Sequence, residues 1–317
     1  TTEFEPGAGP DVFMVQESVF RYWLKKGFLA PLDELVDLAK YEGKWLPIQD
    51  FAVVDGVTYM FVREQVFETL IINEKLREEA GIDVPRSPQE LLEASEQIVD
   101  KTDAEFGFIF PTNFANWSYL TWWSLAVIRS FGGRVAIGGK FTVNEPHFIE
   151  GMKFLHEIYS SRGTPPDMEY GLQRQAFIAG KAGMCFDGPY WFSVVKEANP
   201  DLYPYLKAYP TPFPARWTTA EINSMAINAH SSARKKQAAA KFLEWVFTDE
   251  IQKKLAVYVA TPTGLKISME ALAEAYPWYE PYRYQGNFGI PHVVEGYEEY
   301  TPQIYKRLAD YIAEVMS

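Results

Sequence analysis

Short apolar segments alternate with amphipathic segments of helical period along this chain, and this alternation limits its fold more than any other feature. The apolar segments indicate buried strands near 11–15, 57–62, 69–72, 106–110, 182–186 and 225–228. The helical period predicts helices near 19–26, 32–40, 74–80, 87–99, 117–131, 146–160, 172–179, 233–247, 250–258 and 301–315. Because strands that alternate with helices are typical of α/β proteins, we predict this class, with mainly parallel sheets.

The clearest helix start in the sequence lies at residues 87–90. Ser87 can cap the helix, Pro88 suits the first helical position, and Glu90 completes a capping box. The helix near 87–99 is therefore expected to begin at Pro88.

Length, charge and cysteine content narrow the classes of protein. At about 150 residues per domain, a chain of 317 residues is expected to form two domains. The net charge of −12 would repel a phosphate backbone, so we expect no nucleic-acid partner. The single cysteine, Cys185, excludes an intrachain disulfide and a cysteine-based zinc site. No window approaches the ~20 apolar residues that a membrane-spanning helix needs.

Signals for catalysis are weak in this sequence. It contains no GxxxxGK[ST] phosphate loop, no complete dinucleotide-binding glycine motif and no GxSxG elbow. The four histidines show no spacing typical of metal ligands, and we interpret them as surface or partly buried residues. Acidic residues are plentiful, but no pair stands out as the carboxylates of a glycosidase. We therefore expect no catalytic residue, no cofactor and no metal.

Aromatic residues make up 16% of the chain, with 9 Trp, 19 Tyr and 22 Phe. Core packing is the ordinary role of such rings, yet several stand beside polar turn residues at 116–117, 188–191 and 216–217. A ring in a turn can form a flat apolar surface with a polar edge. Such a surface suits a sugar ring, which has an apolar C–H face and a rim of hydroxyl groups.

The segment FIAGKAGMCFDGPYW at 177–191 resembles the F…GKAAM…GPW segment of the extracellular solute-binding proteins of ABC importers, the family that includes maltose-binding protein. Further stretches resemble other motifs of that family in the same order along the chain. They lie at 9–13, 27–32, 73–81, 87–91, 240–252 and 261–262. Each motif is weak alone, but their order over nearly the whole chain makes the assignment strong.

The resemblance implies a two-lobed, periplasmic-binding-protein-like α/β fold of type II. Its lobes are joined by crossing strands, which we expect near 66–69, 222–226 and 267–278. The amino-terminal lobe is expected to comprise 1–67 and 226–270, and the carboxy-terminal lobe 68–225 and 271–317. A ligand would lie in the cleft, and the lobes would close on it by a hinge motion.

The same resemblance implies further βα units before the strand at 11–15, where this chain has ten residues. The short tail that usually follows the family's last helix is not found before Ser317 either. We therefore expect the amino-terminal strands to be missing and the amino-terminal lobe to be incomplete.

Candidate ligand-binding residues follow from the loops and strand ends that would border the cleft. Glu17 could accept hydrogen bonds from two adjacent hydroxyl groups. Either Tyr190 or Trp191 could stack on a sugar ring, and core packing is an equal alternative for Trp122. The full set is Gln16, Glu17, Ser18, Glu64, Gln65, Asn116, Trp117, Trp122, Asp187, Tyr190, Trp191, Asn223 and Ser224.

The function implied by the resemblance is capture of a mono- or oligosaccharide and its delivery to the membrane subunits of an ABC importer. We expect a monomer outside the cytoplasm, either periplasmic or lipid-anchored. One alternative is a receptor for another solute, such as a polyamine or peptide, because Glu17, Glu64 and Glu68 would suit a cation. A second alternative is a glycoside-processing enzyme that uses two carboxylates.

Overall fold

The computed structural model describes residues 9–165, 167–215 and 218–316. Its strands are β1 (Val12–Gln16), β2 (Val53–Val54), β3 (Val57–Thr58), β4 (Met60–Phe67), β5 (Thr69–Asn73), β6 (Phe106–Ile109), β7 (Ala136–Ile137), β8 (Lys140–Phe141), β9 (Ala182–Asp187), β10 (Leu206–Tyr209), β11 (Thr218–Ile227) and β12 (Gly289–Pro291). Its α-helices are α1 (Glu17–Lys25), α2 (Glu74–Ala80), α3 (Pro88–Lys101), α4 (Trp117–Ser130), α5 (Pro146–Ser160), α6 (Tyr170–Ile178), α7 (Tyr190–Ala198), α8 (Ala233–Val246), α9 (Asp249–Val259), α10 (Lys266–Ala275), α11 (Glu280–Gln285) and α12 (Thr301–Met316). The aromatic turn at 216–217 lies outside the described residues.

The first sheet is organised around β11, its longest strand. β4 runs antiparallel along one edge of β11, with Ala220 opposite Phe67. On the other edge, β1 is antiparallel and β12 is parallel, at opposite ends of the strand. β11 is therefore the shared partner of all three other strands in this sheet.

The second sheet has the strand order β10, β5, β9, β6. β5 runs antiparallel to both of its neighbours, and only the pair of β6 with β9 is parallel. Across both sheets, antiparallel pairs outnumber parallel ones in the described residues, so the prediction of mainly parallel sheets is wrong. The apolar pattern of a buried strand does not encode the direction of its neighbour. Here β5 follows β4 without a crossover helix, so no βαβ unit sets its direction.

The chain passes between the two sheets more than once. Glu68 alone separates β4 of the first sheet from β5 of the second, within the expected span 66–69. The next passage lies between β10 and β11, and the expected crossing at 222–226 is wrong because these residues lie inside β11. A return that was not expected brings β12 back to the first sheet.

Local signals define several helix ends. Ser87 Oγ accepts a hydrogen bond from the backbone N–H of Glu90 at 3.2 Å, and Pro88 is the first residue of α3. The Glu90 carboxylate accepts a hydrogen bond from the backbone N–H of Arg86 at 2.8 Å. In the usual capping box this bond comes from the N-cap residue itself, here Ser87, so the donor is one residue earlier in the chain. α2 ends at Gly81, whose φ of 66° lies in the left-handed region.

The segment at 32–40 departs from its helical prediction. It forms turns and a short 3₁₀ helix at Leu38–Tyr41 instead. Asp33 Oδ2 accepts a hydrogen bond from the backbone N–H of Thr58 at 2.8 Å, and the backbone N–H of Leu32 donates to the carbonyl of Thr58. These contacts with β3 hold the chain in a shape that a local helical period cannot anticipate.

Many of the aromatic residues pack in or against the apolar cores. Beneath the first sheet, the ring of Phe61 lies 5.1 Å from Tyr41, 4.9 Å from Trp45 and 4.9 Å from Phe247, measured between ring centroids. The two sheets have separate apolar cores, and the polar groups considered below lie in the space between them.

None of the helices in the described ranges has the length and apolar character required to cross a membrane.

The contact between α3 and β6 supplies a test of this packing. A Cβ atom at Gly107 would lie 1.8 Å from the backbone oxygen of Ser95. We expect Gly107→Ala to lower the free energy of unfolding by about 3 kcal/mol or more, since neither backbone segment can move away cheaply. Gly171→Ala, on α6 with no atom within 4 Å of the new Cβ, should leave stability equal or raise it by up to about 1 kcal/mol. Equilibrium urea unfolding would measure both, and equal stabilities of the two variants would contradict this packing.

Candidate functional site

A cavity of about 380 Å³ lies between the two sheets. Such a volume falls within the ~300–1,000 Å³ range of small-molecule sites. Residues at the end of β1 and on β11 form the wall on the first-sheet side, namely Gln16, Glu17, Ser18 and Glu221. The remaining lining residues come from the crossing, from α4, α6 and the β9–α7 turn, and from the segment after β12. They are Val66, Glu68, Ser118, Tyr119, Trp122, Trp123, Tyr170, Arg174, Asp187, Gly188, Tyr190 and His292.

Glu17 is the buried carboxyl group in the wall on the first-sheet side. It is the first residue of α1, and only 3% of its surface is exposed. Its Oε2 atom accepts a hydrogen bond from the backbone N–H of Ile222 at 2.7 Å. Burial raises the pKa of its carboxyl group to about 8, so the group is protonated at neutral pH. Beside it, Gln16 Nε2 donates to Glu221 Oε1 at 3.3 Å.

Glu68 occupies the point where the chain crosses between the sheets. Trp122 on α4 donates from Nε1 to Glu68 Oε1 at 2.5 Å, and the hydroxyl of Thr218 on β11 donates to Oε2. The side chain is 3% exposed, and burial raises its pKa to about 8. One carboxyl group therefore connects the crossing, a helix of the second sheet and the central strand of the first.

Asp187 is the centre of a polar network on the opposite wall. Its Oδ1 atom accepts hydrogen bonds from the backbone N–H of Gly188 at 2.8 Å and from the hydroxyls of Tyr190 at 2.6 Å and Tyr170 at 3.3 Å. Arg174 Nε lies 3.8 Å from Oδ2. Burial raises the pKa of Asp187 by more than the Arg174 charge lowers it. These three donors, together with Arg174, hold the Asp187 side chain in place at the cavity wall.

Four aromatic side chains form a platform between these polar groups. Tyr119 is 48% exposed, and its ring centroid lies 5.3 Å from that of Tyr170. Tyr170 in turn lies 5.7 Å from Trp123, which is 4% exposed. Trp122, the fourth ring, is partly buried and donates a hydrogen bond to Glu68. Tyr119 is thus the ring of this group most accessible to a ligand.

His292 is buried rather than at the surface, which corrects the interpretation from the sequence. It is 5% exposed, and its ring centroid lies 4.9 Å from Trp122 and 4.3 Å from Tyr305. Burial, and to a lesser extent the charge of Arg129, keeps its pKa well below the usual value. The imidazole is therefore neutral at physiological pH and adds no positive charge to the cavity.

The structure brings part of the predicted site together. Gln16, Glu17, Ser18, Trp122, Asp187 and Tyr190 all line the cavity. Of the two rings that could stack on a sugar, Trp191 is 1% exposed within the core of the second sheet, so Tyr190 is the one at the cavity.

The other predicted residues are not among those that line the cavity, namely Glu64, Gln65, Asn116, Trp117, Asn223 and Ser224. Asn116 caps α4, accepting hydrogen bonds from the backbone N–H groups of Ser118 and Tyr119. Asn223 donates to Glu64 at 3.0 Å on neighbouring strands. Asn116, Asn223 and Glu64 thus hydrogen-bond to their own or neighbouring elements, and ligand contact by the six residues stays a prediction.

Several lining residues were not singled out by sequence reasoning, among them Tyr119, Tyr170, Arg174, Glu221 and His292. One signal was available, because Tyr170 and Arg174 are four residues apart and so share a face of α6. The others are separated by long stretches of chain. Among the described residues there is no group of three or more His, Cys, Asp or Glu side chains that could hold a metal ion.

Comparison with known families and proteins places this geometry in context. A family model described as bacterial extracellular solute-binding protein matches residues 1–253. The maltotriose-binding protein of Pyrococcus abyssi (strain GE5 / Orsay) is 28% identical over 268 residues, which cover 79% of this chain and 54% of that protein. The chain thus spans about half the length of the curated relative that it matches.

Solved structures share the fold. Maltose-bound MalE3 of T. maritima superposes with a TM-score of 0.87 at 22% identity, covering 99% of this chain and 81% of that one. An ABC transporter solute-binding protein of Thermotoga lettingae, bound with α-D-tagatose, has a TM-score of 0.83 at 18% identity, covering 99% and 82%. The predicted α/β fold of the two-lobed periplasmic solute-binding proteins is therefore confirmed.

The raised pKa of Glu68 predicts how stability depends on pH. The unfolded chain loses this proton near pH 4.5, whereas the folded protein keeps it to about pH 8. The free energy of unfolding should therefore fall as pH rises from about 5 to 8, by at most ~1.4 kcal/mol per pH unit for each such group. Glu68→Gln, which retains an oxygen for Trp122, should make this fall less steep in urea unfolding series.

Glu250→Gln provides the control, because Glu250 is an exposed carboxylate paired with Lys254. That variant should follow the pH dependence of the parent protein. Parallel curves for the parent and Glu68→Gln would show that Glu68 is ionised in the folded protein throughout this range.

Proposed function

Since the chain belongs to the family of bacterial extracellular solute-binding proteins, we propose that it binds a carbohydrate between its two sheets and delivers it to the membrane subunits of an ABC importer. The observation that carries this proposal is the cavity wall itself. It combines an accessible aromatic platform with acidic residues that line the same cavity. Sugars need both, because each ring has an apolar C–H face and a rim of hydroxyl groups.

The protonation state of the wall favours a neutral polyhydroxylated ligand. Glu17 and Glu68 have pKa values raised to about 8, so both are uncharged at neutral pH. A protonated carboxyl group both donates and accepts hydrogen bonds, as a sugar hydroxyl does. The runner-up ligand, a polyamine, would need these groups ionised inside a buried site, which costs free energy.

The names of similar proteins support the same class of ligand. The relatives named above bind maltotriose, maltose and tagatose, and a further structural neighbour at 19% identity and a TM-score of 0.82 is a chitin oligosaccharide binding protein. These ligands range from a single sugar to an oligosaccharide. We propose carbohydrate as the class for this chain, with binding and no catalysis.

Closure of two lobes would complete the binding cycle. We propose the division expected from the sequence, 1–67 with 226–270 against 68–225 with 271–317, with one change. β11 and β12 belong with the first lobe, because both pair in the first sheet. The lobes would move about the crossing at Glu68 and close over the ligand. The proposed setting is a monomer outside the cytoplasm, periplasmic or lipid-anchored.

A thermal-shift screen tests the proposed ligand class. We expect at least one of maltose, maltotriose, tagatose and chitin oligosaccharides to raise the melting temperature by a few degrees. A ligand at 100 times its Kd stabilises the folded state by about 2.7 kcal/mol. Spermidine and short peptides should produce no shift. A shift with spermidine and none with any carbohydrate would reject the carbohydrate assignment in favour of a cation receptor.

The aromatic platform gives a sharper test once a binding sugar is in hand. Tyr119→Ala should weaken binding of that sugar roughly 3- to 30-fold in calorimetric titrations, because ring stacking contributes ~0.5–1.5 kcal/mol beyond buried area. Its stability should change little, since the side chain is 48% exposed. Tyr258→Ala, which removes a ring that is 84% exposed on α9, should bind as the parent does. Unchanged affinity in a folded Tyr119→Ala variant would remove Tyr119 from the ligand site.

A further inference from the structure

We propose that Arg174 is a specificity-determining residue that keeps cationic ligands out of the cavity, an inference that rests on the proposed binding role of that cavity. Four carboxyl groups line the space, from Glu17, Glu68, Asp187 and Glu221. Glu17 and Glu68 hold their protons at neutral pH, so Asp187 is the carboxyl group of this lining that an ammonium ligand would approach. Among the described lining residues, Arg174 is the only lysine or arginine.

The guanidinium of Arg174 is fixed in position by a cage of rings. Its central carbon lies 4.3 Å from the ring centroid of Tyr170, 5.1 Å from that of Tyr190 and 5.0 Å from that of Trp191. It donates hydrogen bonds to the hydroxyls of both tyrosines. With 29% of its side chain exposed, the group remains at the cavity wall. These contacts hold the positive charge at the cavity wall, where it opposes a competing cation.

The guanidinium of Arg174 already lies beside Asp187, the carboxyl group that an ammonium ligand would approach. Asp187 Oδ1 already accepts three hydrogen bonds, and its Oδ2 lies 3.8 Å from Arg174 Nε. An ammonium ligand that approached Asp187 would have to displace Arg174 or lie next to it. Juxtaposed like charges oppose binding, and the repulsion selects against that ligand. A neutral hydroxyl group meets no such repulsion.

The test is a change of ligand class measured by calorimetric titration with spermidine. We expect Arg174→Met to bind spermidine at least about tenfold more tightly than the parent, because an ammonium group of the ligand can then take the place of the guanidinium beside Asp187. The same variant should bind sugar more weakly, since the two tyrosine hydroxyls lose a charged donor. Arg283→Met, which removes an exposed arginine paired with Glu280 on α11, should alter neither affinity.

Two further variants separate the charge from a structural role. Arg174→Lys keeps the positive charge and should show no gain in spermidine binding. Arg174→Met combined with Asp187→Asn removes the carboxylate and should abolish the gain. If the methionine variant does not fold, Arg174→Gln makes the same comparison.

A folded Arg174→Met or Arg174→Gln variant without tighter spermidine binding would overturn the inference, as would an equal gain in Arg174→Lys. The spermidine comparison requires no identified sugar. Failure of every carbohydrate to bind the parent would therefore count against the proposed function alone, and the spermidine result would still decide the role of Arg174.

Discussion

The hydrogen bonds of Glu68 connect the parts of the molecule on which the cavity depends. This residue stands alone between β4 and β5, and its carboxyl group accepts from Trp122 on α4 and from Thr218 on β11. β11 in turn pairs with every other strand of the first sheet, and α4 packs against the core of the second. A movement of one sheet relative to the other would therefore have to strain or rearrange these two hydrogen bonds. A buried, hydrogen-bonded carboxyl group therefore lies at the proposed hinge.

Burial of the acidic groups affects both the stability of the folded protein and the charge of the ligand that the cavity can bind. A carboxyl group removed from water keeps its proton unless a cation or several donors compensate. Within the described part of the chain, Glu17 and Glu68 form no ion pair and have pKa values raised to about 8, whereas Asp187 has Arg174 at 3.8 Å and three donors. The cavity thus combines two carboxyl groups that hold their protons with Asp187, whose side chain is held by three donors and by Arg174. A polyhydroxylated ligand can hydrogen-bond to both without bringing in a charge.

Aromatic residues have two roles here that differ by exposure. Phe61 and Trp191 are buried at 0% and 1% exposure and stabilise the cores of the two sheets. Tyr119, at 48%, belongs to the wall of the cavity. The neighbours Tyr190 and Trp191 illustrate how closely the roles can be spaced, because adjacent residues on a helix point in different directions. One of them lines the cavity and the other packs beneath it.

The sequence alone determined the features that depend on local pattern. The capped start of α3, the helix at 146–160, the crossing near Glu68 and the family motif at 177–191 all follow from residues close together in the chain. The same reasoning found Glu17, Asp187 and Tyr190, because they stand at strand ends and turns that border a cleft in this fold.

Only the tertiary structure decided the direction of the strands, the shape of the segment at 32–40 and the membership of His292 and Arg174 in the cavity. Arg174 and Asp187 lie on separate elements, and His292 follows β12, more than a hundred residues further along the chain. Such contacts are set by the packing of elements distant in sequence, and no local period or spacing carries that information.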